Sequence, residues 1–257
     1  MRKVHFVGAG PGDPELLTLK GLRLLKDADV IVYTGSLVDT SVLAFAKSSV
    51  EKYDSALLNL DEIVGLIAKT IEQGKRVVRL CGGDPSLYGA LQEQIDRLEK
   101  LGIESEVVPG VSSFLAAAAS LKRELTLPGI SQTVIITRPE GRTTTPNLEA
   151  IRSLAKHRTT MVIFLGVQQI QRVCEELADG GYPRNTPVAV LYRVTWPEEK
   201  TIRGTIDNIA DKVERSKISK MAIVIVGGIL AEDGYDQSKL YDPLFTHGYR
   251  KGAQVNV

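Results

Sequence analysis

Three times in the first half of the chain an apolar run ends abruptly at glycine. Lys3 to Val7 stops at Gly8, Arg76 to Leu80 runs into Cys81-Gly82-Gly83-Asp84-Pro85, and Ser105 to Val108 meets Pro109-Gly110. Each run is of strand length, and each leads on to a segment with helical periodicity. Strands that alternate with helices dictate a mainly parallel sheet, because parallel neighbours need a crossover between them. All three glycine turns then fall at the carboxyl edge of one sheet, where open α/β folds bind ligands.

The alternation extends through the first 127 residues. Asp13 and Pro14 read as the cap and first turn of a helix running to about Asp27. A strand follows at Val30 to Tyr33, then a helix from Asp61 to Gln73, a helix from Ser86 to Leu101 and a small-residue helix from Ser113 to Leu121. Leu127-Pro128-Gly129 interrupts the pattern, which puts a domain boundary there. A second domain over 132–232 has strands at Thr133 to Thr137, Thr160 to Leu165, Pro187 to Val194, Lys200 to Gly204 and Met221 to Val226. Helices are expected near Leu148 to Lys156, Val167 to Leu177 and Asp207 to Ser216. Thr195-Trp196-Pro197-Glu198 reads as the turn of an antiparallel hairpin, so the second sheet is expected to be mixed. The polar stretch 233–257 reads as an extension over the surface or as partly disordered. The fold class is therefore α/β, in two α/β domains.

Composition narrows the function. With 43% apolar and 25% charged residues and a net charge of +1, the chain offers no general surface for a polyanion, so no nucleic-acid partner is expected. Met221 to Leu230 is about half the length a membrane helix needs, and reads as a buried strand. Cys81 and Cys174 cannot build a disulfide framework, which points to a reducing cytoplasm. His5, His157 and His247 have no Cys or Asp at ligand spacing, so no bound metal is expected.

The first glycine loop, Gly8-Ala9-Gly10-Pro11-Gly12-Asp13, half matches the dinucleotide fingerprint. Asp13 stands where the third glycine belongs, and the second strand ends Tyr33-Thr34-Gly35 without the acid that would hold a ribose. Two readings stand for these glycines: a tight turn alone, or close approach of a large flat ligand to bare backbone. Asp84 reads equally as a helix cap and as part of a ligand loop, and Ser112 and Ser113 as caps or as hydroxyl donors. Cys81 reads as a small buried filler.

Taken together, VGAGPGDPELLTLKG from Val7, RLCGGDPSLYG from Arg79, VPGVSSFLAAAA from Val108, TMVIFLG from Thr160 and AIVIVGG from Ala222 resemble the tetrapyrrole methylase family over nearly the whole chain. YTGSLV from Tyr33 and LPGISQTVIITRPEGRT from Leu127 are similar to those members that methylate carbon 11 of precorrin-4 or of its cobalt complex.

The resemblance implies a homodimer whose subunits bind S-adenosylmethionine in a cleft between two domains. It implies a cofactor site of Gly82, Gly83, Asp84, Leu87, Tyr88, Ser112 and Ser113 from the first domain, with Leu165, Ala189 and Ala222 from the second. Gly10, Pro11, Gly12 and Asp13 match the floor of the trough that receives a tetrapyrrole substrate. Leu165 stands where many relatives carry methionine, and Thr143-Thr144-Thr145 lies in a loop of variable composition. A macrocycle rich in carboxylates calls for arginines, and Arg138 and Arg142 are the candidates, against the plainer reading that they are solvated loop residues. No His, Cys or paired-carboxylate constellation suggests acid–base catalysis; Asp13 is a candidate for positioning, and a cap on the alternative reading. Three competing readings remain open: a methylase acting on uroporphyrinogen III, another precorrin carbon or diphthamide; a nicotinamide-dependent oxidoreductase; and a binding module without turnover.

Overall fold

The computed structural model describes residues 2–231 and 234–253. The chain divides into two compact units, Met1–Leu121 with Leu191–Lys200, and Lys122–Val190 with Thr201–Val257. The return of Leu191–Lys200 to the first unit carries no signal in the local sequence, which reads there only as a turn.

In the first unit, β1 (Lys3–Gly8), β2 (Val30–Tyr33), β3 (Glu51–Asp54), β4 (Val77–Cys81) and β5 (Glu104–Val108) form one sheet in the order β3-β2-β4-β1-β5. Every pairing is parallel. The helices are α1 (Leu19–Asp27), α2 (Leu60–Glu72), α3 (Leu91–Lys100) and α4 (Ser113–Leu121). Two apolar clusters form the core. One packs Val4, Phe6, Val30, Val32 and Val77 with Ile63, Ile67 and Leu98; the other packs Val7, Ile31, Val78 and Leu80 with Leu25 and Val42. Alternate residues of the same strands serve the two clusters, which is why the strands read as unbroken apolar runs.

Three elements differ from the sequence reading. Asp13 does cap a turn, its carboxylate accepting from Glu15 N at 2.9 Å, but the turn is a short 3-10 piece, Pro14–Leu16. The chain then extends through Leu17, and Thr18 caps α1 by accepting from Gly21 N at 3.1 Å. Similarly α3 begins at Leu91 rather than Ser86, because Tyr88 and Ala90 adopt left-handed backbone (φ 55° and 48°) that no helix can contain. Finally β3 escapes notice in the sequence because Glu-Lys-Tyr-Asp is an edge strand facing solvent.

Arg79 lies within the first sheet and is 5% exposed. Its guanidinium donates to Gln94 Oε1 at 3.0 Å and to the carbonyls of Val32 and Leu80 at 3.2 and 3.3 Å. Gln94 in turn donates to Ala90 O at 2.9 Å. Burial pushes the Arg79 pKa down, and the charge is retained because these acceptors replace water.

The second sheet, which the second unit holds apart from the last two residues of β8 and the first of β9, joins β6 (Val134–Thr137), β7 (Thr160–Ile163), β8 (Pro187–Tyr192), β9 (Lys200–Thr205) and β10 (Ala222–Val226) in the order β6-β7-β10-β8-β9. β6 and β7 are parallel and β10 and β7 antiparallel, so the sheet is mixed, as the sequence predicts. Helices α5 (Ile151–Leu154), α6 (Ile170–Asp179) and α7 (Ile209–Ser216) belong to this unit. Part of the carboxyl-terminal extension, 232–233 and 254–257, lies outside the described residues. Within 234–253 the chain is held by Asp236 N donating to Pro128 O at 3.0 Å and by Arg250 donating to the carbonyls of Leu240 and Asp242.

Candidate active site

The register of the first sheet sets Gly8 beside Cys81, and Val7 beside Val108. The three glycine turns are therefore neighbours, with the Gly8 loop between the other two. Their contact is backbone on backbone. A methyl group in place of the Gly8 hydrogen would sit 2.6 Å from Gly110 Cα and 2.7 Å from Gly83 O, and one at Gly110 would collide with Gly83 O and Gly8. Gly10 and Gly83 exchange both backbone hydrogen bonds, at 3.2 and 2.8 Å. Gly8 and Gly110 are thus explained by the loops packing against each other.

Backbone bookkeeping also decides what the first loop can bind. Ala9 N donates to Cys81 O at 2.7 Å, Gly10 N to Gly83 O, and Asp13 N to Thr195 Oγ1 at 2.9 Å. A pyrophosphate cradle needs those amides free and a helix starting at the loop. Here the amides of Ala9, Gly10 and Asp13 are spent, and α1 starts only at Leu19. With those three amides committed and no helix end at the loop, it does not make a pyrophosphate cradle.

Asp84 is not a helix cap. One carboxylate oxygen accepts from Ser86 N at 2.8 Å and the other from Gly110 N at 2.9 Å, so one side chain ties the β4 loop to the β5 loop. Further along the edge, Asp54 accepts from Gly35 N at 2.9 Å and Ala56 N at 2.8 Å, and Ser55 donates to Tyr33 O at 3.0 Å. Asp54 is the acid nearest the end of β2, and it too is committed to backbone.

Gly83 differs from Gly8 and Gly110. A methyl group there would meet nothing closer than 3.8 Å, to Ser112 Cα and Ser113 N. Gly82, by contrast, abuts Leu37, at 2.8 Å from its Cβ. Around Gly83 stand Asp84, half-buried Leu87, Tyr88 at 45% exposure, buried Ser112 and half-buried Ser113. These residues, drawn from two separate stretches of sequence, follow the carboxyl ends of β4 and β5, the strands on either side of β1. A bare backbone beside an exposed aromatic ring and serine positions is a donor and apolar set that fits a nucleoside bearing an amino-acid tail.

Cys81 is 5% exposed and burial pushes its thiol up; burial likewise pushes Cys174 up to about 12. Neither thiol is a nucleophile at neutral pH.

In the second unit, Leu165 follows β7 with left-handed backbone (φ 54°) and a side chain 65% exposed. The register Val224 to Ile163 places Ala222 at the same end of the sheet. Ala189 lies inside β8 and is fully buried, backbone and methyl alike. The two arginines separate in role. Arg138 donates to the carbonyls of Pro139, Thr143 and Thr144 at 3.1 to 3.3 Å, folding its own loop, which leaves little of its fork for a carboxylate. Arg142, in the same loop, is exposed and pairs with no described residue.

Sequence reasoning missed Thr195, Trp196 and Glu199. Trp196 Nε1 donates to Pro11 O at 2.8 Å, Thr195 Oγ1 accepts from Asp13 N, and Glu199 accepts from Thr195 N at 2.7 Å. Gly12 is flat against the indole, which a methyl group there would strike. The available signal was the chain's single tryptophan, set in what otherwise reads as a polar turn.

The chain is similar to known proteins over nearly its whole length. A cobalt-precorrin-4 C(11)-methyltransferase of Methanocaldococcus jannaschii is 57% identical over 250 residues, 97% of this chain and 96% of the relative. The X-ray structure of a cobalamin biosynthetic enzyme, a cobalt-precorrin-4 methyltransferase, superposes with a TM-score of 0.87 at 43% identity, over 90% of this chain and 96% of the other. A uroporphyrin-III C-methyltransferase from Thermus thermophilus, solved with S-adenosylhomocysteine, gives a TM-score of 0.75 at 34% identity, covering 89% and 93%. The family model for tetrapyrrole (corrin/porphyrin) methylases matches residues 3–210, a span that holds all three glycine loops and the Thr195–Trp196 turn. The chain belongs to the tetrapyrrole (corrin/porphyrin) methylase family.

Proposed function

We propose that this protein is an S-adenosylmethionine-dependent C-methyltransferase that methylates carbon 11 of precorrin-4 or cobalt-precorrin-4 in cobalamin biosynthesis. The observation that carries the reading is the 57% identity, over 97% of the chain, to a relative of that activity. The carboxyl edge of the first sheet supports it, with the three glycine loops side by side.

We assign Gly82, Gly83, Asp84, Leu87, Tyr88, Ser112 and Ser113 to the cofactor, with Leu165, Ala189 and Ala222 from the second unit. S-adenosylmethionine, when bound, supplies a methyl group already activated on a sulfonium. The protein's own work is positioning: the fixed backbone around Gly83 presents one partner, and Gly10, Pro11, Gly12 and Asp13 form a rigid floor for the other. Asp13 holds the turn through Glu15 N, a positioning role. Arg142 has a guanidinium open for a substrate carboxylate. Arg138 acts one step removed, by shaping the loop that carries Arg142. Both cysteine thiols are buried and free, which suits a cytoplasmic enzyme, and we propose a homodimer. Among the described residues no helix is long and apolar enough to cross a membrane.

The test is turnover on metal-free and cobalt-loaded precorrin-4 side by side, with the mass and position of the added methyl determined. Methyl addition at carbon 11 of either substrate is expected; addition at another carbon, or tight nicotinamide binding with no response to S-adenosylhomocysteine, overturns the reading. Light scattering at micromolar concentration checks the dimer.

A further inference from the structure

We infer that Arg193 to Glu199 form a preassembled latch whose function is to fix the backbone of Pro11 to Asp13, making Trp196 and Thr195 positioning residues for the substrate. The inference rests on the reading that this loop carries the substrate, and it assigns a task to a segment that the methylase reading leaves without one.

The latch is built in layers. Two of its groups grip the loop: the indole N–H donates to Pro11 O at 2.8 Å, and the Thr195 hydroxyl accepts from Asp13 N at 2.9 Å. Gly12, between those two anchor points, has no side chain and lies against the indole. Behind them, Glu199 accepts from Thr195 N at 2.7 Å and also meets Ser120 Oγ on α4. The Arg193 guanidinium lies over the Trp196 ring at 5.0 Å and the Tyr192 ring at 5.5 Å, and pairs with Glu198 at 3.3 Å. Its Nε is buried without a partner, a cost accepted for this stacked position.

A plain hairpin turn would not need such a construction. Arg193 and Thr195 both adopt left-handed backbone, φ 45° and 67°, which is a marked outlier for a β-branched threonine. Strain of this kind persists only where the surroundings overdetermine it, and it gathers at functional sites. Here the overdetermining contacts converge on three residues at the carboxyl end of β1, where a parallel sheet presents its ligands. Preorganising that backbone removes the cost of ordering it when substrate binds.

The test compares Thr195→Val, Thr195→Ser and Trp196→Phe with the wild type. Phenylalanine keeps an aromatic ring beneath Arg193 but loses the donor to Pro11 and the indole edge, Cδ1 and Nε1, that lies against Gly12. Expected for Thr195→Val and Trp196→Phe are faster amide exchange over residues 9–16 and a KM for precorrin-4 raised about fivefold to tenfold. In the same variants kcat should stay within about twofold and the Kd for S-adenosylhomocysteine should not change. Thr195→Ser, which restores the hydroxyl, should return both exchange and KM to wild-type values. Because Trp196 is the chain's single tryptophan, its emission should also respond to the tetrapyrrole and stay constant on addition of S-adenosylhomocysteine. Unchanged exchange over 9–16 in Thr195→Val and Trp196→Phe overturns the latch, as does an equal loss of affinity for both ligands. If the wild type transfers no methyl group to precorrin-4, the functional reading falls, and exchange still decides the latch by itself.

Discussion

The two ends of the first parallel sheet are stitched by different chemistry. At the amino end, charged side chains do the joining. Asp29, just before β2, accepts from Arg76 N at 2.8 Å and Arg76 Nε at 3.1 Å just before β4, and also pairs with Lys47; Glu51 at the start of β3 pairs with Lys75 at 2.5 Å. At the carboxyl end, glycines let backbone meet backbone, and the acids present, Asp54 and Asp84, accept from amides. An edge joined by ion pairs is crowded with long side chains and responds to salt and pH. One joined by backbone contacts is rigid and bare, leaving its surface free for a flat ligand. The difference teaches that glycine here serves ligand binding indirectly, by letting neighbouring loops close on each other.

The sharpest way to break this comparison is to add one methyl group at the bare edge. Gly110→Ala should destabilise the protein by about 3 kcal/mol or more, since the new group meets backbone that cannot rotate away. Gly141→Ala, where a methyl group meets nothing within 4 Å, should stay within about 0.5 kcal/mol. Urea midpoints for the two variants measure the contrast; similar losses would mean that the Gly110 contact is not tight in solution.

The next largest effect should come from Asp84→Asn. The amide can satisfy Ser86 N or Gly110 N, and turns an N–H toward the other, at a cost of about 2 kcal/mol. Calorimetry with S-adenosylhomocysteine should show weaker binding as the β4 and β5 loops part. Full affinity with normal stability would remove Asp84 from both its structural and its cofactor role.

These two residues also show what the sequence discloses. The strands are legible because both faces of the sheet are covered, which forces unbroken apolar runs such as Val30 to Tyr33. The glycine loops are legible as a group, because parallel topology alone puts them on one edge. Asp13 and Asp84 are harder: an acid before a proline signals a helix start, and whether its carboxylate caps a helix or ties off a loop depends on a partner distant in sequence. For Asp84 that partner is Gly110, 26 residues away, and for the Pro11 loop it is Trp196, 185 residues away. β3 is illegible for a different reason, since an exposed edge strand need not be apolar.

A smaller effect tests whether the second unit uses side chains where the first uses backbone. The loop after β6 is held by Arg138 through three carbonyls. Arg138→Met should cost about 1 kcal/mol, because the loop is largely exposed, and should speed amide exchange over residues 139–145. KM for precorrin-4 should rise through disorder of the loop, with cofactor affinity intact. If Arg142→Met raises KM equally while exchange stays slow, the two arginines divide into one that shapes the loop and one that meets the substrate.

The smallest effect belongs to the amino end, and its sign separates the two ends. Arg76 above all, then Lys47, holds the Asp29 carboxyl well below the usual carboxylate range. A group depressed in the folded state stabilises the fold above its unfolded pKa, about 4, and that contribution disappears as pH falls through the folded value. Asp29→Asn should therefore lose about 1 kcal/mol or less at pH 7, a modest figure because these side chains are partly exposed and screened by salt. The gap between variant and wild type should narrow as pH falls below about 4, and should shrink at high salt. Gly110→Ala, by contrast, should show the same deficit at every pH and ionic strength, because a steric clash with backbone carries no proton and no counterion. Urea midpoints of both variants at pH 7 and pH 3, in low and high salt, read the two ends in one experiment. A pH-independent deficit for Asp29→Asn would mean that the amino end, too, is held by geometry rather than by charge.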